Sequence, residues 1–194
     1  SLLEVAILDS SSYIRSSVLS KLGPIFDPFL AEFDNLSSLF VASNDEVFRT
    51  RELAIIIISR LCSLNPAYTS PFLRQKLQQT ISQLKFSQEG KMDEPLIILS
   101  HILQGCGDLV RPYSSQILEV LQSTLTDDSD PNTVTYALRS LGQLSRYGWP
   151  VIKENLDKLL EILFTTLQDQ SSTLKRLEAL RALGAIVKHS GYKI

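Results

Sequence analysis

The chain has 194 residues, 44% of them apolar and 21% charged, and its 19 basic and 21 acidic residues give a formal net charge of −2. That composition buries a sizeable core, which excludes a disordered tail, and the scattered charges leave no basic stripe for nucleic acid or an anionic membrane surface. The longest apolar run, residues 53–58, is far below the roughly 20 residues of a membrane-spanning helix, so no membrane insertion is expected. Two cysteines, Cys62 and Cys106, make no disulfide framework, and a reducing cytoplasmic location is the expectation.

In chain order the first stretch, residues 1–27, reads as a partial unit. It opens SLLEVAIL, without an initiator Met and already in amphipathic register, as part of a longer chain would. Val18, Leu19, Leu22 and Ile25 follow at helical spacing. Residues 28–65 begin with an amphipathic set, Phe29, Leu30, Phe33, Leu36, Leu39 and Phe40, and Asn44 and Asp45 then signal a second helix start. That second segment contains RELAIIIISRL, residues 51–61; taken alone, its β-branched run points to a strand.

Residues 66–108 repeat the plan with Phe72, Leu73, Leu77, Ile81 and Leu84, then a segment through Pro95. A proline there requires this second helix to start late, with Asp93 or Glu94 near its cap and Pro95 in its first turn, and predicts the shortest second helix of the set. Residues 109–148 carry Tyr113, Ile117, Leu118, Leu121 and Leu125, then an Asp130–Pro131 helix start. Residues 149–194 carry Val151, Ile152, Leu156, Leu159, Leu160, Leu163 and Leu167 ahead of a last helix. Pro28, Pro71, Pro112 and Pro150 fall where the first helices should begin.

Aligned on Val18, Ala54, Pro95, Ala137 and Ala179, the second segments recur at intervals of 36, 41, 42 and 42 residues. One position on stand Leu19, Ile55, Leu96, Leu138 and Leu180; four on, Leu22, Ile58, Leu99, Leu141 and Leu183; seven on, Ile25, Leu61, Ile102, Leu144 and Ile186. Offsets of 0, 1, 4 and 7 trace one stripe of an α-helix and fit no strand, so the isoleucine run is helical. Position five is small throughout: Gly23, Ser59, Ser100, Gly142 and Gly184. Glycine within a helix costs about 1 kcal/mol against alanine, so close approach of a neighbouring helix is expected there. The period predicts an all-α fold, a right-handed α-solenoid of HEAT repeats in which one domain spans residues 1–194 and each hairpin covers its neighbour's apolar face.

Chemistry is sparse. His101 and His189 have no partner at metal-ligand spacing, and His189 reads as a cation favoured by the last turn of its helix. DDSDPN, residues 127–132, would put Thr133 and Arg139 where a calcium loop uses Gly and Glu, so it reads as a turn feeding a helix cap. GCG, residues 105–107, is no phosphate loop, and no serine lies in a nucleophile elbow. Cys62 reads as packing beside the stripe, and Tyr147 and Trp149 of RYGWP as hairpin-corner packing. No catalytic residue, cofactor or metal site is expected. The one candidate docking spot is apolar: Ile56 and Ile97, two positions beyond the anchor and pointing away from the stripe, with Ile57 and Ile98 beside them.

Four strings carry a resemblance: NDEVFRTRELA (44–54), LNPAYTSPFLRQ (64–75), DLVRPY (108–113) and HSGY (189–192). They resemble the N-terminal HEAT-repeat region of target of rapamycin, a large serine/threonine kinase family. The resemblance implies a non-catalytic scaffold segment, serving in nutrient and growth signalling through protein partners. Those would be accessory subunits of the raptor or rictor type, other parts of the kinase chain, or its dimer mate. It places catalysis elsewhere in the parent and the parent in the cytoplasm, recruited to lysosomal or vacuolar surfaces. The HEAT pattern further implies an Asp–Arg ladder, here Asp9 with Arg15, Asp45 with Arg51 and Asp169 with Arg176, interrupted where Met92 and Val134 stand at the Arg position. The competing reading is a HEAT scaffold of another system, a transport receptor or a phosphatase scaffold.

Overall fold

In the computed structural model, which describes residues 2–86, 93–126 and 130–191, every regular element is helical. In order these are α1 (Leu2–Leu8), α2 (Ser12–Lys21), α3 (Asp27–Leu30), α4 (Phe33–Ala42), α5 (Phe48–Arg60), α6 (Pro66–Phe86), α7 (Asp93–Gly105), α8 (Gly107–Val110), α9 (Ser114–Thr126), α10 (Pro131–Leu144), α11 (Trp149–Glu154), α12 (Leu156–Gln168) and α13 (Thr173–His189). Single 3₁₀ turns at Pro24–Phe26, Leu61–Ser63 and Arg111–Tyr113 bridge some of them. The chain divides into two compact units, Ser1–Leu77 and Gln78–Ile194, and the division falls inside the continuous helix α6.

In the first unit, α1 packs on α2 and α4 on α5, and the two hairpins stack first helix on first helix, α1 with α4, and second on second, α2 with α5. Aromatic contacts between α4 and α6 extend the pattern: Phe40 stacks on Phe72 at 4.2 Å and Phe33 meets Tyr68 at 5.0 Å. In the second unit α9 packs on α10 and α12 on α13; α10 lies against both α7 and α13, and α12 against α9. The isoleucine run lies within α5, with Ile55, Ile57 and Ile58 buried.

Of the fifteen stripe positions, twelve are buried and Leu183 is half-buried. Ile25 and Leu180 depart, 80% and 58% exposed. Ile25 lies past the end of α2, in the 3₁₀ turn that follows Gly23 and carries Pro24. Leu180 shares an outward face of α13 with Leu174 and Leu177, against which no further hairpin packs among the described residues. Stacking thus decides burial: the same stripe residue is core between two hairpins and surface at the end of a stack.

Three details correct the sequence reading. The shortest second helix is α2, with 10 residues, where the expectation named α7, which has 13 and begins at Asp93 with Pro95 in its first turn. The extended backbone at Gly23 followed by Pro24 ends α2 early. Helix α6 begins at Pro66 and carries Pro71 in its interior, so Pro71 does not start it. Two of the first helices are broken: α3 and α4 meet at Ala31–Glu32, where Asn35 donates to the Phe29 carbonyl at 2.8 Å, and α11 and α12 meet at Asn155, whose φ of −110° and ψ of 14° leave the helical region. A polar amide bonding local backbone carbonyls is the usual cause of such a break.

The small residues at position five divide likewise. A methyl on Gly142 would stand 3.2 Å from the Ala182 Cα, so α10 and α13 do approach closely there, and Ser59 and Ser100 are buried. Gly23 and Gly184 face open space. Sequence reasoning passed over a long-range tie in the first unit. Arg60, closing α5, donates to both carboxylate oxygens of Asp27 at 2.7 and 2.6 Å and to the Leu22 carbonyl at 2.9 Å. It locks the turn after α2 to the next hairpin.

Candidate protein-docking surface

The ladder residues share one local device. Asp9, Asp45 and Asp169 each accept the backbone N–H two residues on, at 2.8 Å in all three cases, an Asx turn that opens the following helix. An arginine in that helix returns to the aspartate's carbonyl: Arg15 to Asp9 at 2.8 Å, Arg51 to Asp45 at 2.8 Å and Arg176 to Asp169 at 3.1 Å. Within each named pair the arginine therefore meets the backbone, and the carboxylate serves the turn.

Between hairpins the carboxylate takes a second role. Arg15 donates through Nε and Nη2 to the two oxygens of Asp45 at 2.7 and 2.9 Å, with both side chains under a tenth exposed, and reaches Glu46 at 3.3 Å. This fork couples α2 to the turn ahead of α5. In the second unit Val134 occupies the Arg position and is buried, and the rung there is a hydrogen bond from the Thr133 hydroxyl to the Asp93 carboxylate. Met92, the other departure from the pattern, lies outside the described residues.

The Arg15 guanidinium holds the Asp45 carboxyl below the usual carboxylate range; burial opposes this, and the Val47 N–H reinforces it. A carboxyl depressed in the folded state contributes stability that is present above its unfolded pKa of about 3.9 and is lost as pH falls through the lower folded value. Asp45→Asn should therefore cost about 2 kcal/mol at pH 7, the worth of hydrogen bonds to a charged group, and should flatten the acid limb of the stability curve below about pH 4. Urea denaturation at pH 7 and at pH 3 checks it: the difference between the two proteins should shrink in acid.

Of the four isoleucines expected to form an outward apolar spot, two are not at the surface. Ile57 and Ile98 are buried, 2% and 7% exposed, and cannot offer a surface. Three residues past the anchor is about 300° of helical turn, which returns to the edge of the buried stripe beside position seven. Ile56 in α5 and Ile97 in α7 are half-buried. Elsewhere, Cys62 is half-buried and Cys106 is buried, and neither is in a disulfide. His189, expected as a cation, is instead pushed below its ordinary pKa by burial and by the charges of Lys188 and Arg146, with Nδ1 3.0 Å from the Ser145 hydroxyl. Among the described residues no cluster of three His, Cys, Asp or Glu side chains is placed to hold a metal, and no helix is long and apolar enough to cross a membrane.

No protein-family model matches the chain. Comparison with characterised proteins is informative. It is 43% identical over 148 residues to the serine/threonine-protein kinase TOR2 of Saccharomyces cerevisiae, a match covering 76% of this chain and 6% of that protein. It is 37% identical over 146 residues to mTor of Drosophila melanogaster, covering 74% and 6%, and 36% identical over 162 residues to TOR of Oryza sativa, covering 80% and 7%. The chain belongs to the target of rapamycin family. It corresponds to one small segment of that family, a few per cent of the length of its relatives. Among solved structures, an engineered protein superimposes with a TM-score of 0.59 at 17% identity, over 98% of this chain and 84% of the other, a likeness of fold alone. The target of rapamycin segment is thus all-α and assembled from helical hairpins.

Proposed function

We propose that this chain is a non-catalytic scaffold segment from the N-terminal HEAT-repeat region of a target of rapamycin kinase, serving nutrient and growth signalling by docking accessory subunits of the raptor or rictor type and supporting complex or dimer assembly. The observation that carries the reading is a similarity confined to one short stretch of these kinases: three relatives are 36–43% identical to this chain over a segment that makes up only 6–7% of their length. Within each of its two units that stretch consists of stacked hairpins, tied by polar helix starts and rungs between hairpins. Such a surface supports binding, since repeat stacks present extended faces to partners. The parent would act in the cytoplasm, recruited to lysosomal or vacuolar surfaces.

The test is affinity capture with the tagged chain from lysate, followed by immunoblotting for raptor-type and rictor-type subunits. Recovery of either supports the scaffold reading; recovery of transport cargo or phosphatase subunits in their place overturns it. Ile56→Ser combined with Ile97→Ser should change unfolding stability by no more than about 1 kcal/mol, as outward substitutions do, and should reduce that recovery. A large fall in melting temperature would return both isoleucines to the core.

A further inference from the structure

Between α10 and α13 runs an open groove of about 450 Å³ whose floor is Leu138, Gly142, Ala182 and Ala185. Its rims are basic. Arg139, Arg146 and Arg181 line it and are exposed, while the one acid in the groove, Glu178, is buried. A single oxygen of Glu178 accepts from Arg139 at 3.1 Å and from Arg181 at 2.7 Å, so one carboxylate holds a guanidinium in place on each wall. Each guanidinium has five N–H donors, and these contacts take one from each. Arg146 stands further along, its guanidinium carbon 5.2 Å from the Tyr147 ring centre. The excess of positive charge is local. Helix α10 has no acid along its length, and α13 has Lys175, Arg176, Arg181 and Lys188 against Glu178 alone, in a chain whose overall charge is negative.

We infer that the α10–α13 groove is a docking site for an acidic peptide segment of a protein partner, whose carboxylates are received by Arg139, Arg146 and Arg181 while small side chains rest on the Gly142–Ala182 floor. Charge complementarity argues for this occupant, because guanidiniums on both walls suit paired carboxylates and would repel a basic segment. His189, at one end of the groove, is held below its ordinary pKa first by burial and then by the charges of Lys188 and Arg146. Apolar, closely spaced floor residues suit an inserted peptide better than a bilayer, which needs a convex or flat face. The inference rests on the scaffold reading and adds the chemistry of one partner.

The experiment is fluorescence anisotropy of the intact chain with a labelled hexaglutamate peptide, a hexaglutamine control, and phosphatidylserine vesicles as a separate probe. The acidic peptide should bind, weaken as salt rises, and weaken at least tenfold further with Arg146→Gln plus Arg181→Gln, a variant that leaves Arg139 to partner Glu178. If that variant loses helical signal, Arg146→Gln alone, which touches no part of the Glu178 cluster, should still weaken binding about threefold, and Arg146→Lys should restore most of it. Absence of peptide binding by the unaltered chain, equal binding by folded variants, or preference for vesicles over peptide would each overturn the assignment. Should the chain still capture a raptor-type or rictor-type subunit in that event, the scaffold reading stands and only the groove's role falls.

Discussion

Leu141→Ala should destabilise the chain by about 2 to 5 kcal/mol, the range for truncating a fully buried leucine. Leu141 is completely buried in α10, which packs against α9 within its own hairpin and against α7 and α13 of the hairpins on either side. Helix α10 is held by contacts with three other helices, so little collapse should fill a cavity there, and the cost should sit in the upper half of the range. The comparison that gives the number meaning is Leu180→Ala. Leu180 also belongs to the stripe, one position past the anchor in α13, yet is 58% exposed, and its truncation should cost under about 1 kcal/mol. Urea denaturation of both variants measures the contrast. Equal costs would mean that neighbouring hairpins are not what buries the stripe.

Gly107→Ala should cost about 3 kcal/mol, a large effect for one methyl group. Gly107 begins α8, and a Cβ there would fall inside the ring of Tyr147, on the turn after α10. The ring sits at a tight hairpin corner: Gly148 follows, where a methyl would stand 2.9 Å from the Ser114 hydroxyl oxygen, and Arg146 lies against the ring. Something must move, and the backbone of α8 or the tyrosine are the two choices. Pairing the change with Tyr147→Ala separates them. The double variant should be more stable than the sum of the single costs predicts, because the second change removes the clash that the first creates. Strict additivity would place the strain elsewhere. A crystal structure of Gly107→Ala should show the Tyr147 ring swung toward solvent.

Much of this architecture is written in short-range pattern. A 3.6-residue period over five segments assigns the isoleucine run to a helix against its own β propensity, because burial of a stripe outweighs the few tenths of a kcal/mol that each β-branched residue loses in a helix. Asp45 is legible as a helix-start residue for the same reason, and Asp9 and Asp169, expected only from the family's ladder pattern, build the same Asx turn from neighbours in sequence. What escaped depends on who stands opposite. Leu180 has the same offset as Leu138 and a different fate, because among the described residues only the latter has a hairpin on each side. Ile57 and Ile98 were placed outward by a difference of one residue, which on a helix is 100° and enough to cross from rim to core.

The polar ties were least legible. Arg15 was matched with Asp9 by its position in one hairpin, and it does bond the Asp9 carbonyl; its carboxylate partner, Asp45, belongs to the next hairpin, 30 residues on. Glu178 with Arg139 is likewise a pair between successive hairpins, 39 residues apart, while Arg60 reaches back 33 residues to Asp27 at the start of its own hairpin. Such pairs recur at close to one repeat length. A search for opposite charges at that separation, on second helices in particular, is the signal that could have found them.

The central claim is that hairpins stabilise one another in succession, and backbone amide hydrogen exchange on the intact chain tests it most directly. Amides of α10, flanked by α7 and α13, should be the slowest to exchange in the second unit, with α13 faster along its outward face from Leu174 to Leu180. Protection that peaks in α13, or that is the same in α10 and α13, would contradict the account.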